Sequence, residues 1–477
     1  MSTVVQILLP GDSEQIHERS IRLLERTGLQ VLSERARKLL SAAGAELESG
    51  GERVRFPRAV IEHALKLAPK DFALGSRHHR PDLEMNAGRC WLCADGGAIS
   101  VIDWNTRELR AGTRADWLAA TRLIEGTDEI NLYWNPIEGS FSDTAAGFVE
   151  YWTELLSNCT KHIQDSVNTV EKARLLLEIL EIAFGDRDVV RAKHPISYVV
   201  CPMSPLVIDR AYTDAFLETA GWEIPAAIMP MPLMGATAPA SLISTLMIAN
   251  AEFLAMLCLV QAAAQGTPVI YAVMPSAVEP RTWRYSGGGI ENPLLSAGAV
   301  EMGRFYGLPV ESGAGGTDHC IPGIQAAYER GLSWVLPALA RPDILVGPGL
   351  LGGSTILSLE QMMMDVEIFR RCARLSAGFS TQDQQRFDDL IESQGPGGSF
   401  VGQKATLQAL HNGSFYIGNL GYRGTYEHWT AAGAPDIGDE LYAQIGETLA
   451  SHEPPRLDAH IERALRGLAQ RVAKASA

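Results

Sequence analysis

Residues 226–275 read AAIMPMPLMGATAPASLISTLMIANAEFLAMLCLVQAAAQGTPVIYAVMP. Two short apolar runs, Ala226–Met231 and Pro268–Val273, flank a stretch over Ser241–Ala264 that is long enough and regular enough to be a helix. Gly and Pro punctuate both junctions, and Pro230 and Pro275 fall at or beside the ends of the runs. Proline cannot donate to a strand ladder, so each marks the carboxyl end of a strand. Strand, covering helix and strand again make a unit whose two strands lie parallel, with the helix packed on their outer face.

The same texture repeats on both sides of this unit. Further apolar runs fall at Cys90–Ala94, Ile130–Pro136, Lys161–Val167, Ile196–Cys201, Leu308–Glu311 and Asp343–Val346, giving eight in all at intervals of 30–42 positions. Pro136, Pro202 and Pro348 close three of them in the same way. Helices are expected between the runs at Arg114–Glu125, Thr169–Ala183, Ile208–Ala220, Pro293–Tyr306, Ile324–Ala340 and Leu357–Ala377. Eight alternating units predict an α/β protein built on a closed (β/α)₈ TIM barrel rather than an open sheet. The start reads as helices at Glu14–Thr27, Ser33–Ala43 and Pro57–Leu67. The expected division is therefore a helical N-terminal extension over 1–88, the barrel over 89–379 and a helical C-terminal extension over 380–477.

Composition narrows the function. The 477 residues are 46% hydrophobic and 20% charged, with 41 Lys and Arg against 56 Asp and Glu, for a net charge of −15. An acidic chain without a basic run lacks the footprint of a nucleic-acid binder. The apolar run Val4–Leu9 is too short for a secretory signal, and the stretch Phe253–Ala264, broken by Gln261, falls short of the roughly 20 residues that span a bilayer. A cytoplasmic protein without a membrane partner is expected. Seven cysteines spread along the chain do not form a disulfide framework. Cys90 and Cys93 have CxxC spacing, but no second pair and no histidine pair completes a zinc set, so no metal is expected.

Barrel chemistry sits in the loops after the strands. Those loops supply Asp165, Glu311, Asp318 and His319 as candidate catalytic groups; each is equally a side chain satisfied by loop backbone. Trp134, Asn135, Tyr271, Met231 and Met274 are candidate substrate contacts, with Met229, Met234, Trp283 and Tyr285 nearby. Aromatic faces suit a quaternary ammonium, which has no hydrogen to donate. Gly313, Gly315, Gly347 and Gly349 lie in glycine-rich loops that fit either a bound anionic group or tight turns of positive φ. Gly347–Gly352 matches GxGxxG, but near the last strand, with one helix and the tail to follow, which is the wrong place for a dinucleotide fold.

Several segments resemble the trimethylamine methyltransferase family, in the branch without pyrrolysine that includes the glycine betaine methyltransferases. They are VVCPMSPLVID (199–209), PMPLMGATAPASLISTLMIANAEFLA (230–255), GTPVIYAVMPSAVEPRT (266–282), RFYGLPVESGAGGTDHCIPGIQAAYE (304–329) and GPGLLGGSTILSLEQMMMDVEIF (347–369). YEHWTAAGAPDI (426–437) and LASHEPPRL (449–457) extend the resemblance into the tail. It implies a barrel enzyme of one-carbon metabolism, related to methanogenesis, that takes a methyl group from a methylated amine. The acceptor it implies is Co(I) of a corrinoid (cobalamin) carried by a separate cognate protein, with no cofactor held tightly by this chain. Methylamine members of the family carry pyrrolysine in the pocket; this chain carries only ordinary side chains, which favours a quaternary amine such as a betaine. The competing readings are a non-catalytic betaine-binding or regulatory barrel, an enzyme for another methylated amine, and a zinc-dependent methyltransferase. The apolar helices outside the barrel are the sole pointer to a homo-oligomer.

Overall fold

The computed structural model describes residues 5–77, 80–379 and 384–476. Eight parallel strands form the centre: β1 Trp91–Cys93, β2 Ile130–Tyr133, β3 His162–Asp165, β4 Ile196–Val200, β5 Ala226–Ile228, β6 Val269–Tyr271, β7 Glu311–Gly313 and β8 Ile344–Val346. They pair in the order β6-β5-β4-β3-β2-β1-β8-β7. The circle closes where Tyr271 bridges Val310 and its amide donates to the Pro309 carbonyl at 2.8 Å. Several strands are shorter than the runs expected for them, such as His162–Asp165 within Lys161–Val167, and the seventh is displaced: Leu308–Glu311 was expected, and the strand begins at Glu311, because Leu308 and Val310 pack outward while Val310 makes the closing bridge.

A ring of helices covers the outer wall: α4 Arg114–Gly126, α5 Ala145–Asn158, α6 Val170–Phe184, α7 Ala211–Glu218, α8 Leu242–Ala263, α9 Glu291–Phe305, α10 Ile324–Ala340 and α11 Leu359–Ala377. Five of them begin on a Ser or Thr hydroxyl (Thr113, Thr144, Thr169, Ser241, Ser358) that accepts the backbone N–H three residues on. Helix α5 fills the interval left unassigned between the second and third runs. Its signal was the Thr144 cap, obscured by the Gly- and Ser-rich lead-in at 139–142.

Helix α8 is apolar all round because it is buried all round. By length and composition alone it would cross a bilayer, yet 78% of its most apolar window is buried in the protein. The N-terminal helices α1 Asp12–Arg26, α2 Glu34–Ala42 and α3 Arg58–Leu67 pack over it, and Asn250 of α8 donates to Ser20 of α1 at 3.0 Å. That N-terminal region is not purely helical: strands at Leu29–Val31, Glu46–Leu47 and Arg53–Arg55 form a small sheet with Val207–Ile208. The hairpin of Ala73–Leu74 and Leu83–Glu84 plugs the amino end of the barrel with Leu74, Leu83 and Met85. In the tail, α12 Ile437–Ser451 packs on α4 and α11, and α13 Ala459–Ser476 packs on α5 and α6. The boundary expected at 379/380 adjoins 380–383, which lie outside the described residues.

Candidate active site

Alternation along each strand separates lumen from wall. Cys93, Leu132, Val199, Ala227, Met229, Ile270, Ala272, Ile344 and Val346 form one cluster, joined by Trp134, Cys201 and Met274 toward the carboxyl end. Their neighbours along the strands, such as Ile163, Tyr198, Tyr271 and Leu345, belong to the outer core. Within the apolar lumen stands a carboxyl group. Glu311 is 1% exposed, and burial pushes it up to about 7. Gln164 Nε2, from the opposite side of the barrel, donates to Glu311 Oε1 at 2.6 Å, whereas Oε2 is buried without a hydrogen-bond partner. An unpartnered buried carboxyl oxygen is costly, and Oε2 is free to meet a bound group.

Behind Gln164 the polar atoms continue. Ser197 Oγ lies 3.2 Å from Gln164 Oε1, His162 Nε2 lies 3.0 Å from Ser197 Oγ, and His162 Nδ1 faces the Gly75 carbonyl at 2.7 Å. His162, Gln164 and Ser197 escaped the sequence reading, although the signal was present: polar residues at alternate positions inside otherwise apolar parallel strands.

At the mouth, Trp134 lies beside Gly96, where any Cβ would come within 2.8 Å of the indole and 2.9 Å of the Asn135 carbonyl. The Asp95-Gly96-Gly97 turn thus leaves space for the ring. A Cβ on Gly313 would stand 3.7 Å from Met274 Sδ, so bare backbone and thioether share one side of the lumen. Met231 lies two residues beyond lumen-facing Met229 and is 48% exposed. The structure therefore places Glu311, Gly313 and Met274 along the lumen, with Trp134 packed against the same apolar cluster and Met231 exposed beyond Met229.

The remaining candidates lie elsewhere. Asp165 points out of the wall toward α5: Tyr151 Oη donates to Oδ2 at 2.8 Å, the Ser166 amide donates to Oδ1 at 2.7 Å, and burial pushes the carboxyl up to about 7. With Asn135 and Glu138 it lines a polar rim cavity of about 430 Å³ outside the lumen. Tyr271 is corrected outright: its hydroxyl donates to Asn250 of α8 at 3.1 Å and its ring packs on Phe253. Asp318 is an exposed loop staple, taking hydrogen bonds at 2.7 Å from both Ser286 Oγ and the Gly287 amide. His319 Nδ1 is held by the Ile321 carbonyl at 2.7 Å in its own loop.

The glycines beyond Gly313 are also explained by packing. A Cβ on Gly315 (φ +79°) would strike Ser333 of α10 at 2.2 Å. Gly347 and Gly349 adjoin a buried ion pair, Arg330–Asp365 at 3.0 Å. Arg330 donates to the Gly347 carbonyl at 2.6 Å, and the Gly349 amide donates to Asp365 at 2.9 Å. Gly349 (φ +108°) is in the left-handed region that favours glycine. The GxGxxG stretch is thus a turn fixed from behind by α10 and α11.

Loops around the mouth form a collar. Strands at Leu233–Met234, Ser276–Val278 and Tyr285–Ser286 make one small sheet, and strands at Ser100–Ile102, Leu109–Ala111, Leu350–Leu351 and Ile356–Leu357 make another. Ile99, Met203, Met231, Trp283 and Ile290 are exposed in these and the adjoining loops.

The family model for trimethylamine methyltransferase matches residues 2–476. A trimethylamine methyltransferase of Desulfitobacterium hafniense is 28% identical over 455 residues, covering 95% of this chain and 91% of the relative. A glycine betaine methyltransferase of the same species is also 28% identical, covering 98% and 97%. The solved monomethylamine methyltransferase of Methanosarcina barkeri superposes with a TM-score of 0.52 at 13% identity, covering 92% of each chain; this likeness concerns the fold.

Proposed function

The chain belongs to the trimethylamine methyltransferase family and is a methyltransferase, and from that premise we propose that it moves a methyl group from a quaternary amine, a betaine, to Co(I) of a corrinoid carried by a separate protein. The observation that carries the choice of a cation is Glu311. A carboxyl group buried in an apolar lumen, with one oxygen unserved, is stabilised by a ligand that brings positive charge, and the apolar walls suit a cation with no hydrogen-bonding demand of its own. A quaternary ammonium meets both conditions. Trp134 offers it a ring face, and Met274 offers a polarisable flank.

The reaction needs little proton chemistry. The N–CH₃ bond breaks, the methyl passes to the cobalt, and the electron pair stays on nitrogen as a neutral tertiary amine departs. Such a leaving group takes up no proton, so no general acid is required. What this chain supplies is position: Glu311 and Trp134 hold the cation with a methyl directed out of the mouth, and the apolar lumen excludes water. The acceptor corrinoid is a second substrate in this reading, supplying the nucleophile. The exposed apolar side chains of the collar, from Ile99 to Ile290, suit a protein docking over the mouth. Given glycine betaine and Co(I) corrinoid, the enzyme yields N,N-dimethylglycine detectable by mass spectrometry, and none when the corrinoid is omitted. Binding of the betaine without dimethylglycine under any corrinoid supply would replace this reading with that of a binding barrel.

A further inference from the structure

The atoms behind Glu311 are one hydrogen short. The Gly75 carbonyl only accepts, so His162 Nδ1, 2.7 Å away, carries a hydrogen. A neutral imidazole then presents Nε2 to Ser197 as an acceptor. Ser197 has a single hydroxyl hydrogen, and both His162 Nε2 and Gln164 Oε1 face it. With His162 neutral and Glu311 ionised, one of these two gaps has no hydrogen.

One added proton fills every gap. Placed on Glu311, with the Gln164 amide turned end over end, it gives an unbroken series: Glu311 donates to the amide oxygen, the amide NH₂ donates to Ser197, Ser197 donates to His162, and His162 donates to Gly75. The other seat for the proton, His162 Nε2, lies deeper, and burial pushes His162 down to about 4. The titratable groups that face this series, among the described residues, are two thiols, a carboxyl group and an imidazole. Cys93 of β1 and Cys201 after β4 flank Glu311, and burial pushes the first thiol well up and the second up to about 12. Asp95 acts at Cys93, and burial raises it to about 6. His194, the imidazole felt by His162, is bonded to the Ala73 carbonyl and held toward its neutral form by burial.

We propose that Gln164 is a two-position amide, set by Ser197 and His162, that keeps Glu311 protonated while no cation is bound and turns its NH₂ to the carboxylate when a cation enters. This rests on the reading of the lumen as a quaternary-ammonium site. The structure holds the second arrangement, with Nε2 toward Glu311. In this account Gln164, Ser197 and His162 are positioning residues, and each cation bound below the titration of Glu311 expels one proton to solvent.

The test reads the proton directly. Infrared difference spectra between wild type and Glu311→Gln at pH 6 carry the carbonyl stretch of a neutral carboxylic acid, which fades near pH 7. In Ser197→Ala, and independently in His162→Asn, the amide has no reason to turn, so the fading moves about one pH unit lower, a roughly tenfold change in acidity. Calorimetry with glycine betaine at pH 6, in buffers of different protonation enthalpy, returns close to one proton released per molecule bound. Its affinity rises about tenfold per pH unit up to the break and is flat above it. Identical titration in wild type and both variants overturns the inference, as does binding without proton release. No binding of glycine betaine at any pH overturns the functional reading beneath it.

Discussion

Gln164 Nε2 and Glu311 Oε1 meet at 2.6 Å, joining β3 to β7 across the full width of the barrel. The two residues occupy strands four places apart in a ring of eight, so their contact lies on the axis and fixes the level of the pocket floor. Above it stand Met274, Trp134 and the open mouth; below it, polar atoms lead to Gly75 of the plugging segment. A carboxyl group held there, with one oxygen unpartnered, is costly to the fold.

That cost gives a stability prediction. Glu311 is raised from 4.5 to about 7 by burial, so its contribution to stability is full below pH 4.5 and is lost as pH rises through about 7. Glu311→Gln removes the loss. At pH 8 the variant gains roughly 2–3 kcal/mol, a few °C in Tm, relative to wild type, while at pH 4 the two melt alike. Its methyl transfer falls by more than about a hundredfold, because a neutral amide faces the cation. Thermal melts at the two pH values, paired with the transfer assay, check both signs.

Trp134 tests the aromatic contact. A desolvated cation–π interaction is worth roughly 2 kcal/mol, so Trp134→Ala weakens glycine betaine binding by more than about tenfold, and Trp134→Phe recovers part of it. Calorimetric affinity unchanged in the alanine variant would remove Trp134 from the pocket.

The ion pair under the last loop predicts structural loss. Arg330 and Asp365 are 1% and 0% exposed, and each also holds the backbone of the 347–349 turn. Arg330→Met or Asp365→Leu alone strands a buried charge and destabilises by roughly 3–5 kcal/mol. The double variant is less destabilised than either single one, as measured by urea denaturation, since no unpaired charge remains.

Collar residues separate docking from chemistry. Met203→Glu together with Trp283→Glu places charge on exposed apolar positions. Transfer to a corrinoid held by its protein drops by at least about tenfold, whereas transfer to free cob(I)alamin stays within about twofold of wild type. Equal losses with both acceptors would place these residues in the pocket instead of the docking surface.

Much of the architecture was legible because barrel strands covered on their outer face carry an unmistakable pattern of short apolar runs, and the prolines after them stand two to four residues past the strand ends: Pro136 after Tyr133, Pro202 after Val200, Pro230 after Ile228. Helix α5 was obscured because glycine and serine at its approach resemble a loop. The site was less legible. Position after a strand does not reveal whether a side chain faces lumen or wall, and one residue of register separates the two. Asp165 and Tyr271 fall on wall positions, whereas Gln164 and Met274 fall on lumen positions. The alternation was visible in HIQD (162–165), where two polar residues share a face, but a strand so short gives little to read. The loop glycines were ambiguous for a different reason: the partners that explain Gly347 and Gly349 are Arg330 and Asp365, distant in sequence and charged, the residue types least expected in a core.

The most direct measurement is methylcobalamin formation, followed by absorbance, with free cob(I)alamin and each of glycine betaine, proline betaine, carnitine, choline and trimethylamine. The account predicts turnover with a quaternary amine and none with trimethylamine, abolished in Glu311→Gln. Turnover confined to trimethylamine, or undiminished in Glu311→Gln, would contradict it.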